Sequence, residues 1–221
     1  MSKTEQFISK EKEHYGKLYS TVEFAIDEIK NFVDKNTLKS RKYYTRQGVL
    51  EKYIELLDAS NTDSKQKGFI SGLFESDKYI NLLNDYKKDH EEEINQLINC
   101  SKCQCLKCIS ECKFDSCRGC SNGKHIVDCD HQRTSIYFFD SSKYSELNLV
   151  NNNTGEEDTY TILAIIQDAL KDKRYIIIEN SSTNERFILY YYPRLPEDDY
   201  GEISSEEDFN FAAEAYEGVE R

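Results

Sequence analysis

The residue order predicts an α+β protein in three successive parts: a helical bundle or hairpin over 1–99, a cysteine-rich module over 100–133, and a small antiparallel sheet with a C-terminal helix over 134–221. Three observations carry this reading. Apolar residues before position 100 recur at steps of three and four, all eight cysteines fall from Cys100 to Cys129, and the chain after them holds short runs rich in Ile, Tyr and Phe.

Taken in order, Tyr15, Leu18, Val22, Ile26, Ile29 and Val33 mark one face of a long amphipathic helix from about Thr4 to Val33. A second helix is expected from about Leu38 to Leu57 through Tyr43, Leu50, Tyr53 and Ile54, and 61–64 (Asn-Thr-Asp-Ser) reads as a turn or cap. Phe69, Ile70, Leu73 and Phe74 form a third apolar series. It pauses before Asp77, a candidate N-cap, and resumes through Ile80, Leu83, Tyr86, Ile94, Leu97 and Ile98 in a helix that runs into Cys100.

Beyond the cysteines the period becomes strand-like. Strands are predicted over 135–140, 160–166, 174–179 and 186–192, with turn residues at 151–155 and a hairpin connection at 180–184. Ser204, three residues before Glu207, has the form of a capping box ahead of Phe209, Phe211, Ala212, Ala215 and Tyr216.

In this region the chain resembles a family. The runs Tyr160–Ala164, Lys173–Ile178 and Arg186–Tyr190, followed by acidic Ser205–Phe209 and by Ala213–Tyr216, look like the small acidic YrzB-like bacterial domain of unknown function. The resemblance covers roughly 155–219 and implies a small sheet-plus-helix fold. It implies no activity, and the present chain departs from the family in carrying about 150 residues ahead of it, every cysteine included.

The net charge of −12 is unevenly spread. Residues 134–221 contain 19 Asp/Glu and 7 Lys/Arg, while the 133 residues before them hold 22 of each and are neutral. An acidic C-terminal part discourages contact with nucleic acid or an anionic membrane, so any such contact falls to the neutral part. Residues 1–6 lack the apolar core of a signal peptide, and no run approaches the ~18 apolar residues of a membrane span. A soluble, cytoplasmic protein is therefore expected, with no membrane partner.

In a reducing compartment, clustered cysteines point to metal more often than to disulfides. Cys100/Cys103, Cys105/Cys108 and Cys117/Cys120 are C-x-x-C pairs, and with Cys112 and Cys129 they supply eight thiolates, enough for two closed tetrahedral Zn²⁺ sites. Alternatively His131 or His125 joins one site and releases a cysteine. Cys103 and Cys105, one residue apart, are expected to serve different metals. Lys102, Lys107, Lys113, Arg118, Lys124 and Arg133 interleave with the ligands and offset their charge. An iron–sulfur cluster is the lesser alternative, because the C-x₂-C-x₂-C-x₃-C run followed by Pro is absent. His14 and His90 sit on predicted helices as solvated or half-buried side chains.

A second candidate site is basic. Lys35, Lys39, Arg41, Lys42 and Arg46 surround Tyr43 and Tyr44, a pattern that suits phosphate contact and base stacking, although a solvated bundle helix with core tyrosines explains it more simply. No phosphate-binding loop, nucleophile elbow or His-Glu-x-x-His pair occurs. The expected function is a non-enzymatic, zinc-stabilised adaptor that binds another protein. The alternatives are a nucleic-acid-binding regulator and an iron–sulfur redox protein.

Overall fold

The computed structural model describes residues 3–67, 76–114, 124–139, 145–150, 155–194 and 196–219, which fall in two compact units, Met1–Ser101 and Lys102–Arg221. Helices and an antiparallel sheet with a C-terminal helix are both present, so the chain is α+β.

The first unit contains α1 (Lys3–Ile29), α2 (Lys35–Ser40), α3 (Lys42–Lys67), α4 (Ser76–Asp89) and α5 (Glu91–Lys102). The apolar stripe of α1 buries Leu18, Val22, Ile26 and Ile29, and Ile8 and Ala25 extend it. The helix stops at Ile29, short of the expected Val33. The helix expected over 38–57 is divided at Arg41. The Asp34 carboxylate accepts hydrogen bonds from the backbone N–H groups of Asn36 (2.9 Å) and Thr37 (3.1 Å), which starts α2 early, and extended Arg41 ends it.

The segment 61–64 is not a turn. Within α3, the Thr62 hydroxyl donates to the Asp58 carbonyl at 3.0 Å, so a polar side chain that suits a turn is satisfied inside the helix. Asp77 lies within α4, whereas a cap must precede the first helical residue. The helix expected to run into Cys100 is interrupted at His90 and then carries past Cys100 to Lys102. The series Phe69–Phe74 lies outside the described residues.

Contacts such as Lys12–Asp58, Glu11–Tyr53 and Tyr19–Gln47 run in opposite directions along α1 and α3, which makes the pair antiparallel. Helix α4 completes the core. Leu83 packs with Ile8, Tyr53 and Leu57, all four almost fully buried, and each such side chain contributes about 2 kcal/mol of burial. The Tyr53 hydroxyl and the Lys87 ammonium both meet the Glu11 carboxylate.

The second unit begins with a 3-10 turn (Gln104–Lys107). It continues through β1 (Lys124–Cys129), β2 (Thr134–Phe139), β3 (Glu146–Val150), β4 (Glu157–Asp168), β5 (Lys173–Asn180), β6 (Arg186–Tyr192) and β7 (Asp199–Glu202) to α6 (Glu206–Val219). All pairings are antiparallel in the order β1-β2-β4-β5-β6-β7, with β3 pairing the first half of β4. The sheet is larger than expected, since β1, β3 and β7 were not foreseen. β1 also lies in the stretch the sequence assigned to the cysteine module, so a boundary at 133/134 would cut the β1–β2 hairpin.

Alternation along the strands gives the sheet two apolar faces. On one, Ile136, Ala164, Ile166, Tyr175 and Ile177 pack against Ala212 and Tyr216 of α6. On the other, Ile165, Ile176 and Ile178 lie buried beneath rim side chains that include Tyr137, Tyr191 and Tyr200.

Ser205, not Ser204, caps α6. Its hydroxyl accepts from the Asp208 N–H at 3.4 Å, and its carbonyl accepts the Phe209 N–H at 3.0 Å. The Asp208 side chain then turns inward, 1% exposed, and accepts from Lys171 Nζ (2.9 Å), Lys173 Nζ and the Tyr190 hydroxyl (2.6 Å). Hydrogen bonds from Lys173 and then Tyr190 hold its carboxyl well below the usual carboxylate range, against the opposing effect of burial.

A group depressed in this way stabilises the fold fully above its unfolded value near 4, and loses that contribution as pH falls. Asp208→Asn is expected to cost about 3 kcal/mol at pH 7. In urea unfolding, the gap between variant and parent should narrow as pH drops below about 4; a gap independent of pH would contradict the ionic role.

Candidate metal centre

Cys103 and Cys108 flank the 3-10 turn that begins the second unit, and Cys105 lies within it. Cys103 accepts the Ile126 N–H at 3.4 Å, and the Gln104 amide reaches the Cys129 carbonyl at 3.5 Å, so the turn rests on β1. Cys105, Phe114, Ile126 and Cys129 are buried together, with Cys103, Cys108 and Tyr137 packed round them.

A β-bulge makes this meeting possible. Ile126 pairs with Tyr137 and Cys129 with Ser135, although Ile126 and Cys129 are three residues apart and would point to opposite faces of a regular strand. The register shift between Ile126 and Asp128 restores both to one face.

The hairpin turn beyond Cys129 places His131. Asp130 Oδ1 accepts the backbone N–H groups of Gln132 (2.9 Å), Arg133 (2.8 Å) and Thr134 (2.9 Å). Burial opposes ionisation of Asp130, but these bonds outweigh it and hold the carboxyl below the usual range. Arg133 crosses to Asp168, donating from Nη2 at 2.6 Å and from Nε at 3.0 Å, with its guanidinium 4.4 Å from the Phe211 ring centre. Between these two anchors His131 adopts φ 61°, a left-handed conformation uncommon for a residue with a Cβ.

His131 Nδ1 then lies 3.7 Å from Cys108 Sγ and 3.8 Å from Cys129 Sγ. Burial pushes the Cys129 thiol up. The His131 N–H acts against that shift, while Cys112, Asp130 and Cys108 add to it, so a bound cation is what would favour the thiolate. Cys112 donates to the Phe114 carbonyl at 2.9 Å, and Cys108 donates towards the Ser110 carbonyl at 3.8 Å.

None of the six described cysteines is in a disulfide. Among the described residues no three metal-ligating side chains have the arrangement of a finished metal site. Two thiols and one imidazole come together, and two further thiols, those of Cys117 and Cys120, lie with Arg118 outside the described residues.

Cys100 is buried in α5 of the helical unit, where Gln96 Nε2 donates to its sulfur at 3.4 Å. His125 pairs with Phe138 on the α6 face of the sheet, opposite to Ile126 and Cys129. Arg133 is committed to Asp168 rather than to thiolates, and Lys124 lies over the Tyr137 ring at 5.2 Å, while Lys102, Lys107 and Lys113 are exposed.

In the basic segment, Arg41 is 6% and Tyr43 2% exposed, and the Arg41 guanidinium donates to the Tyr43 hydroxyl at 3.2 Å. Those two cannot present a charge and a stacking face to a nucleic acid. Lys39 is exposed, and Lys42, Tyr44 and Arg46 are partly exposed.

No family model matches the chain, and no curated protein or solved structure matches it. No helix among the described residues is long and apolar enough to cross a membrane.

Sequence reasoning missed Asp130, which organises the turn. Its one signal was its place between Cys129 and His131, where Asp readily bonds the backbone ahead of it. Asp130→Ala is expected to lower the unfolding free energy by about 1 kcal/mol, since solvent offsets part of what this exposed carboxylate's bonds contribute. The loss should be full above the ordinary Asp value near 4 and should fade in acid. An unchanged denaturation midpoint at neutral pH would refute the turn's dependence on this carboxylate.

Proposed function

We propose that the protein is a non-enzymatic, zinc-stabilised adaptor that binds another protein. The observation that carries the metal half is the approach of Cys108, Cys129 and His131, with both sulfurs within 3.8 Å of Nδ1. Tetrahedral zinc with ordinary bond lengths separates a sulfur from a nitrogen ligand by about 3.6 Å. The donor set fits that ion: soft thiolates with an imidazole, in a segment whose apolar content is too small to hold a fold by itself. Bound zinc would neutralise thiolate charge and tie the segment to the β1–β2 hairpin. The sequence expects a second ion, with Cys103 and Cys105 serving different metals, and both lie in the cluster that holds Cys108 and Cys129.

The adaptor half is supported by exposed aromatic surface. Phe24 and Phe32, at the end of α1 and just beyond it, are 64% and 71% exposed. Large apolar groups left in water at such positions suit a protein contact better than a nucleic-acid one. The resemblance to the YrzB-like domain belongs to the same proposal and adds a fold without an activity. Burial of Arg41 and Tyr43 weakens the nucleic-acid alternative.

Metal analysis of the full chain, purified without added metal, is expected to give roughly two zinc ions and no iron. Chelation should loosen the second unit, reported by hydrogen exchange, and leave the helical unit protected. Iron with a visible charge-transfer colour would replace this reading by the redox one. For the partner, crosslinking in native cells should yield a product that the Phe24→Ser, Phe32→Ser double variant loses while retaining its metal. A salt-dependent gel shift with DNA or RNA, suppressed by Lys42→Glu and Arg46→Glu, would favour the regulator instead.

A further inference from the structure

We propose that Cys108, Cys129 and His131 are three ligands of one four-coordinate zinc centre, which a further cysteine completes. The inference rests on the zinc reading above and specifies its ligands. Counting cysteines alone offers two complete Cys₄ sites, so a histidine ligand is not needed to balance the sequence. The placement of the side chains favours it.

The first argument is position. Cys103, Cys105, Cys108 and Cys129 share a cluster in the second unit. Of the two histidines near the cysteines in sequence, His125 belongs to the opposite face of β1, and His131 lies close to two thiols. In binding, the thiols of Cys108 and Cys129 give up their protons to solvent, and Cys108 gives up its hydrogen bond to the Ser110 carbonyl.

The second argument is independent of distance. His131 occupies a left-handed conformation at φ 61°, which costs of order 1 kcal/mol for a residue with a Cβ, and the turn would be relaxed with Gly or Asn there. The Asp130 carboxylate and the Arg133–Asp168 pair hold the turn in place. The backbone so fixed keeps the imidazole in one place, as a ligand needs. A histidine ligand also leaves a site of three thiolates and one Zn²⁺ with a net charge of about −1 instead of −2, which is favourable in a chain of net charge −12.

The test uses the full ¹⁵N-labelled chain loaded with ¹¹³Cd in place of zinc. One histidine should show ¹¹³Cd–¹⁵N coupling at Nδ1, and His131→Asn, which keeps the left-handed backbone, should abolish it and lower the bound metal by roughly one ion per chain. His131→Cys should restore the ratio without the coupling. Coupling at His125, absence of any coupling in a metal-loaded parent, or an unchanged metal ratio in His131→Asn would overturn the assignment while leaving zinc binding standing. A parent chain that takes up neither zinc nor cadmium would instead overturn the zinc reading itself.

Discussion

The second unit depends on the register shift in β1. A regular strand would send Cys129 to the α6 side of the sheet, among Ile136, Ala164 and Tyr216, and would leave Cys105 and Phe114 without a partner surface at that end. With Val127 and Asp128 together opposite Ile136, the strand returns to phase and Ile126 and Cys129 lie side by side. One extra residue therefore decides which face of the sheet receives the cysteine segment. The same step sets the start of the hairpin turn, and so the position of His131.

This dependence explains what was and was not legible in the sequence. The helical and strand-like periods were visible because amphipathic spacing is a local property, as the Leu18–Val22–Ile26–Ile29 stripe shows. Three strands were not visible. β1 was hidden because its bulge disrupts alternation and its cysteine drew the reading towards metal ligation. β3 is five residues long and alternates between exposed and half-buried, and β7 is four residues long and acidic. Boundaries failed for a related reason, since Ser, Thr and Asp suit both caps and helix interiors, and which role they take depends on whether a carbonyl four residues back is within reach, as for Thr62.

Spacing raised the expectation of metal, but it cannot say which candidates meet. Cys100, read as half of a chelating pair, is buried on α5 with Leu97 and Ile94. Likewise both histidines near the cysteines were candidates until strand pairing put His125 and Cys129 on opposite faces. The basic segment failed through burial, because the Arg41 guanidinium and the Tyr43 ring stabilise each other inside the bundle.

Buried carboxylates supply what apolar packing cannot. The contact between α6 and the sheet is made by Ala212, Tyr216 and partly buried Phe211 on Ile- and Tyr-rich strands, a surface on which a helix can slide or turn at small cost. Asp208 removes that freedom, because only one placement of α6 lets a single carboxylate meet Lys171 and Lys173 at the start of β5 and Tyr190 on β6. Any shift leaves a buried charge without its partners, at a cost larger than a few lost methylene contacts. Glu11 acts in the same way in the helical unit, joining Tyr53 of α3 to Lys87 of α4. In a chain with this excess of acid, Asp208 and Glu11 are turned towards partners that fix helix registry, while others, such as Asp27, Glu55 and Asp199, lie at the surface.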